Sequence, residues 1–211
     1  MNLSLLEIAS KGGWLMIVLF ILSLISFIIF FERYFKLIKV KKIDDKTFQE
    51  INSLIKHNQI DQALKIAELN KSHLAPVFHK GLQFIKQDRV LAQESIEQGA
   101  NKIIRDLEKN TGSLATISSV GPLIGFLGTV TGMIKVFIKL QQAQAGVDIQ
   151  LLAGGIWEAM LTTVGGLIVG IISLLFYNYL ISRIELTANE IESSCNDIIL
   201  QIKGLNNETQ A

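Results

Sequence analysis

One carboxylate interrupts a long apolar run. The stretch from Gly154 to Gly166, GGIWEAMLTTVGG, carries Glu158, the only acid between Asp148 and Glu185. A charge at mid-bilayer costs about 2.5–3.5 kcal/mol on insertion scales. If this run crosses a membrane, Glu158 must face a bundle interior or a wet cavity. Lys135 is the nearest basic candidate. A carboxyl that exchanges protons inside a membrane suits a proton-coupled device. A protonated carboxyl bonded to a neighbouring helix suits a structural one. Thr129 and Thr163 lie at nearly equal distances from the centre of the turn, if one span ends near Leu140 and the next starts near Leu151. Antiparallel helices then place the two hydroxyls at one depth, with Glu158 roughly 7 Å nearer the turn. Thr163 points about 140° away from Glu158, whereas Thr162, one turn on, shares its face more closely. Two hydroxyls and a carboxyl make a polar step-way. The alternative is that each threonine bonds backbone within its own helix.

Other chemistries find no support. Nothing matches a glycine-rich turn ending in Gly-Lys-Ser/Thr. His57, His73 and His79 lack the spacing and the partner cysteines of a metal site. Ser118, Ser119 and Ser173 fall in apolar segments that contain no histidine to act as their base. Cys195 is the single cysteine, so an intrachain disulfide is impossible. The expectation is a non-enzymatic membrane protein with no metal and no bound cofactor.

The elements that must position Glu158 are spans. The chain has 211 residues, is 49% apolar and carries a formal net charge of +1. Residues 12–31 and 151–181 are long apolar segments, and 114–138 is apolar except for Lys135. Each suffices to cross about 30 Å of hydrocarbon as a helix, the form that satisfies its own backbone in lipid. Three such lengths in one short chain argue against soluble buried helices. The first segment reads as a retained anchor rather than a cleaved signal. Glu7 offsets Lys11 before it, and FFERYFKLIKVKK follows in place of a small-x-small site.

Orientation follows from the basic residues. Arg33, Lys36, Lys39, Lys41, Lys42 and Lys46 lie just past the first span, while the loop near 140–150 offers only Asp148. The positive-inside rule puts the N-terminus outside. The lysines abut a span and belong to no nucleic-acid-binding motif, so no nucleic-acid partner is expected. The expected order is an external segment 1–11, span one 12–31, a cytoplasmic helical region 32–113, span two 114–140, an external loop 141–150, span three 151–181 and a cytoplasmic helix 182–211.

Residues 3–10 suggest a short interfacial helix. The cytoplasmic part reads as helical throughout, with Phe48, Ile51 and Ile55, then Ile60, Leu64 and Ala67, at helical spacing, and a break near NKSHLAP. One long helix is expected from about Arg89 to Leu140, bent or frayed near Gly112. Ile184, Ala188, Ile191, Cys195, Ile198, Ile202 and Leu205 alternate at four and three residues, a heptad seam. The seam packs either on the chain's own helices or on a neighbouring subunit. Span three and the tail then form one helix of about 55 residues. The fold class is an all-α membrane protein, with three transmembrane helices, two of them extended into a cytoplasmic helical collar.

Small residues form stripes on the last two spans. Gly121, Gly125, Gly128 and Gly132 are four, three and four apart, and Gly155, Ala159, Thr162, Gly166 and Gly170 make a second stripe. Membrane helices associate through close packing, so these stripes mark contact faces.

At these residues the chain resembles the MotA/TolQ/ExbB proton-channel family, closest to its ExbB and TolQ branch. GPLIGFLGTVTGMIKVF followed by GGIWEAMLTTVGGLIVGIISLLFYNYL carries the resemblance, with its Gly-x-x-Gly-Thr-Val-x-Gly run, a glutamate early in span three, and Tyr177-Asn178 after it. The resemblance implies a homopentameric pore in the bacterial inner membrane, with a periplasmic N-terminus. It implies a dimeric single-span partner, ExbD or TolR, inside the pore, whose aspartate is the main proton carrier. Proton flow would drive motion that TonB or TolA transmits to the outer membrane. By motif position, Thr129 and Thr163 match the family's pore threonines and Glu158 its span-three glutamate, with Thr162 a further candidate for the pore lining. Thr131 stands where several members have tryptophan, and Trp157 where a small residue is common. Those departures bear on the branch, ExbB-like energising of TonB-dependent transport or a TolQ-like role in envelope maintenance. A MotA-type stator fits poorly, because no large cytoplasmic insertion separates the spans. A non-conducting membrane scaffold is the rival of another class.

Overall fold

A computed structural model describes residues 13–40, 43–85, 87–142 and 149–208. The described residues form helices and connecting turns, without strands. The helices are α1 (Gly13–Ile38), α2 (Asp45–Lys56), α3 (Ile60–Leu69), α4 (Ala75–Phe84), α5 (Arg89–Glu108), α6 (Thr111–Gln142) and α7 (Ile149–Glu208). The helix expected over 3–10, Lys41, Lys42 and most of the 141–150 loop lie outside the described residues. The chain divides into two compact units, one from residues up to 32 and 110–180, the other from 33–109 and 181 onward.

The first unit holds three helices long and apolar enough to cross a membrane. Their apolar side chains face outward, as with Phe20, Leu123, Phe126, Phe137 and Leu175. Inside, α1 meets α7 through a buried hydroxyl pair, Ser26 Oγ to Ser173 Oγ at 2.8 Å. Leaving either hydroxyl bare among apolar neighbours would be costly, so each supplies the other's partner. Nearby, Phe30 stacks on Phe176 with ring centroids 4.0 Å apart. Pro122 lies inside α6. It removes the N–H that would bond the carbonyl one turn back.

The second unit has an ordinary apolar core. Ile51 and Ile55 of α2, Ala63 and Ala67 of α3, Phe78 and Leu82 of α4, and Ala92 and Ile96 of α5 are buried together with Ile191, Cys195, Ile198 and Ile202 of α7. Leu64, expected on the inner face of α3, packs at the core's edge. The heptad seam therefore packs on the chain's own helices. Ile199 adds to it, Ala188 packs at its margin, and the Leu205 side chain lies outside the described residues. Local signals set the helix starts. Asp88 accepts a bond from Val90 N at 2.7 Å to cap α5, and Pro76 opens α4. Arg33 is buried and donates from Nη1 to the Asp106 carbonyl at 2.9 Å.

One expectation needs correction. The stretch from Arg89 to Leu140 is not one helix bent near Gly112. α5 ends at Glu108 and α6 begins at Thr111. Lys109 turns extended, with ψ 134, and Asn110 takes a left-handed φ of 65. Asparagine tolerates that region because its short polar side chain bonds locally. Gly112 lies within the first turn of α6, with open space around it.

Candidate functional site

The site is built on the α6–α7 hairpin, where glycine lets backbones touch. A Cβ on Gly125 would sit 2.9 Å from the Thr162 carbonyl oxygen, and one on Gly166 would sit 2.8 Å from Gly125 Cα. Gly121 faces Gly166 and Gly170, Gly128 faces the Thr162 side chain, Gly132 faces Ala159 and Gly155 faces Val136. Gly170 lies against Pro122 and the Ser118 carbonyl. Both small stripes thus meet along one seam.

This close approach brings Thr129 and Thr163 together. Their hydroxyls hydrogen-bond to each other across the hairpin, both half-buried. Thr163 Oγ1 also lies 3.0 Å from the Gly125 carbonyl oxygen, against 3.4 Å for Thr129 Oγ1. Each hydroxyl has one hydrogen to give. Either hydroxyl can donate to the other, and both reach the Gly125 carbonyl. Thr162 behaves otherwise. It is buried, and its hydroxyl donates within its own helix, to the carbonyls of Ala159 at 2.9 Å and Glu158 at 3.0 Å.

Glu158 sits on the same hairpin, nearer the turn. Its side chain is 40% exposed, and Lys135 Nζ stands 4.0 Å from Oε1. A cavity of about 20 Å³ adjoins it, lined by Gly13, Trp14, Leu15, Gly128, Thr131, Gly132, Lys135 and Thr162. That is room for about one water. Among the described residues no hydrogen bond joins Glu158 to the threonine pair; the carboxyl and the hydroxyls are two separate polar steps. No group of metal-ligating side chains occurs among the described residues.

Sequence reasoning missed α1's part in this site. Gly13 opens α1 with φ 67, and a Cβ there would meet Glu158 Oε1 at 2.9 Å. Glycine suits the left-handed backbone, and a Cβ would in addition make the Glu158 carboxylate shift. The only hint was a Gly12-Gly13 pair just before an apolar run. The pairing of Ser26 with Ser173 was likewise not foreseen, since two lone serines far apart in sequence give no register.

The family's sequence profile, that of the MotA/TolQ/ExbB proton channel family, matches residues 69–193, a stretch that includes this hairpin. The chain belongs to that family, in its ExbB/TolQ branch. It is similar to the biopolymer transport protein ExbB-like 1 of Synechocystis, 29% identical over 185 residues, covering 84% of the chain and 71% of the relative. It is 35% identical over 123 residues to the Tol-Pal system protein TolQ of Haemophilus influenzae, covering 54% of the chain and 52% of the relative. It is 25% identical over 196 residues to ExbB of Pseudomonas putida, covering 89% and 58%. The chain therefore spans only about half the length of these last two relatives. With three apolar helices and these relatives, it is a multi-pass membrane protein of a transport family rather than of an enzyme family.

Proposed function

We propose that this chain is an ExbB-like subunit of a proton channel in the bacterial inner membrane, which uses the proton motive force to energise TonB-dependent outer-membrane transport. Protons are its coupling ion, and it uses no cofactor. Five copies enclose an ExbD-like single-span dimer, and a TonB-like protein transmits the motion. The N-terminus is periplasmic, and residues 32–113 and 182–211 are cytoplasmic. The single observation that supports this best is the Thr129–Thr163 hydroxyl pair at one depth of an apolar hairpin. Whichever hydroxyl donates, the pair keeps oxygen lone pairs that can accept from a proton-bearing partner carboxyl. Glu158 offers a second protonatable step nearer the outside, partly exposed beside a one-water cavity. Thr162 contributes to that cavity's wall. The glycine seam holds the two steps in fixed register.

A TolQ-like role in envelope maintenance is the second reading, favoured by the 35% identity to a Tol-Pal protein. Growth on iron complexes that need TonB-dependent uptake, against detergent sensitivity of the envelope, separates the two in a deletion strain. The proton reading itself is tested with Glu158→Gln, Thr129→Val and Thr163→Val in the assembled complex. Glu158→Gln should abolish proton-driven function while the complex still copurifies, and each threonine variant should impair it. Full activity of Glu158→Gln would instead favour a non-conducting scaffold.

A further inference from the structure

The ammonium beside Glu158 has a bearing on which ion the carboxylate can take. We propose that Lys135 is the ion-selectivity residue of this site: it fills the place an alkali cation would need at Glu158, and so confines the carboxylate to protons. This rests on the reading of Glu158 as a proton step.

The argument is one of space and ligands. Sodium and a proton each bring one positive charge toward Lys135 Nζ, so charge alone does not choose between them. A proton joins the carboxyl and needs no volume. Sodium is a hard cation that needs a shell of oxygen atoms. The cavity that adjoins Glu158 holds about one water, and Lys135 stands 4.0 Å from Oε1. The cavity's side-chain hydroxyls are Thr131 and Thr162. Thr131 Oγ1 donates to the Leu127 carbonyl at 2.8 Å and Thr162 Oγ1 to the Ala159 carbonyl at 2.9 Å, so these two oxygens supply at most two ligands of a sodium shell. The other walls are Gly13, Trp14, Leu15, Gly128 and Gly132, which carry no side-chain oxygen. Gly13 lies against Oε1 from α1, where a methyl would make the carboxylate shift. A lysine nitrogen supplies only donors, never a ligand lone pair while protonated. Without Lys135 the carboxylate would gain both room and an unopposed charge.

The test uses the complex with its copurifying membrane partner, reconstituted in vesicles. Proton uptake under an imposed potential is measured in sodium chloride and in choline chloride. Wild type should be blind to sodium, and Lys135→Arg should stay so because it keeps a cation in place. In Lys135→Met, sodium should slow proton uptake by about threefold or more, the competition expected once sodium exceeds about twice its dissociation constant. A sodium-dependent rise in Tm, seen in Lys135→Met and absent in wild type, reads sodium occupancy even where flux is lost. Lys135→Gln repeats both measurements if the methionine variant fails to assemble. Sodium-blind flux and Tm in the variant that assembles would overturn the proposal, as would sodium inhibition of wild type. Wild-type vesicles that take up protons no faster than Glu158→Gln vesicles would instead overturn the underlying proton role of Glu158.

Discussion

In the second unit the fully buried side chains are large: Phe78, Ile51, Ile55, Leu82, Ile96, Ile198 and Ile202. In the first unit the seam between α6 and α7 is glycine, alanine and threonine, while Phe126, Phe137, Leu123 and Leu175 point outward. Leu19, Leu114 and Leu180 are the large apolar side chains that it buries fully. The difference reflects the solvent each unit must leave. Removal from water stabilises burial of large apolar side chains, so the second unit puts them inside. Lipid tails are as apolar as leucine, so the first unit gains little that way and must rely on close backbone contact. That same closeness builds the candidate site, because only touching backbones let Thr129 and Thr163 share a hydrogen bond. The second unit is built on bulk, and its core is a cluster of buried apolar side chains.

The largest expected effect breaks the second unit alone. Phe78→Ala removes a fully buried ring. It should cost about 3–5 kcal/mol, the usual range for an aromatic truncated in a core. Limited proteolysis should then cut within 33–109 well before the membrane hairpin is attacked. Phe126→Ala is the control in the first unit. Its side chain is 64% exposed, so truncation should leave stability in detergent or lipid nearly unchanged. Equal losses from both variants would mean that the two units do not differ as argued.

The next effect is smaller in energy and larger in function. Gly166→Ala adds one methyl to the first unit, 2.8 Å from Gly125 Cα. Backbone cannot rotate out of the way as a side chain can. Overpacking of this kind costs about 1–3 kcal/mol. Because α6 and α7 must part to admit the methyl, the Thr129–Thr163 bond should break with them. Proton-driven function should fall as far as in Thr163→Val, in protein that still reaches the membrane. Gly112→Ala, in open space on the same helix, should be neutral or stabilising by up to about 1 kcal/mol. A Gly166→Ala variant with normal activity would separate the hydroxyl pair from the seam.

These contrasts also explain what could be read in advance. Periodicity within one helix is local, so the glycine stripes, the heptad seam and the common depth of Thr129 and Thr163 were legible. The partner of a stripe is not local. The seam from Ile184 to Ile202 has one spacing whether it meets its own chain or another, and only the fold places it on α2–α5. Gly13 approaches Glu158 from the far end of the sequence, and nothing in either segment announces the other. The break between α5 and α6 was misplaced for a related reason. Gly112 is tolerated within a helix, while Asn110, two residues before it, takes the left-handed turn.

The last effect lies in the second unit, is absent at neutral pH and needs no loss of packing. Cys195 is buried in its core, and its thiol is pushed up from 9.0 to about 12, first by burial and then by the Glu192 carboxylate nearby. The folded state thus binds the thiol proton more tightly than the unfolded chain does. The stability linked to this proton is fully present below about pH 9 and is lost as pH rises toward 12. Wild type should therefore lose stability over that window relative to Cys195→Ala, whose curve lacks this component. At neutral pH the thiol should resist maleimide in folded protein and react once denatured, since the thiolate is the nucleophile. Rapid labelling of the native chain at neutral pH would mean that this part of the seam opens to water. The second unit would then be less like a water-excluding core than its buried isoleucines imply.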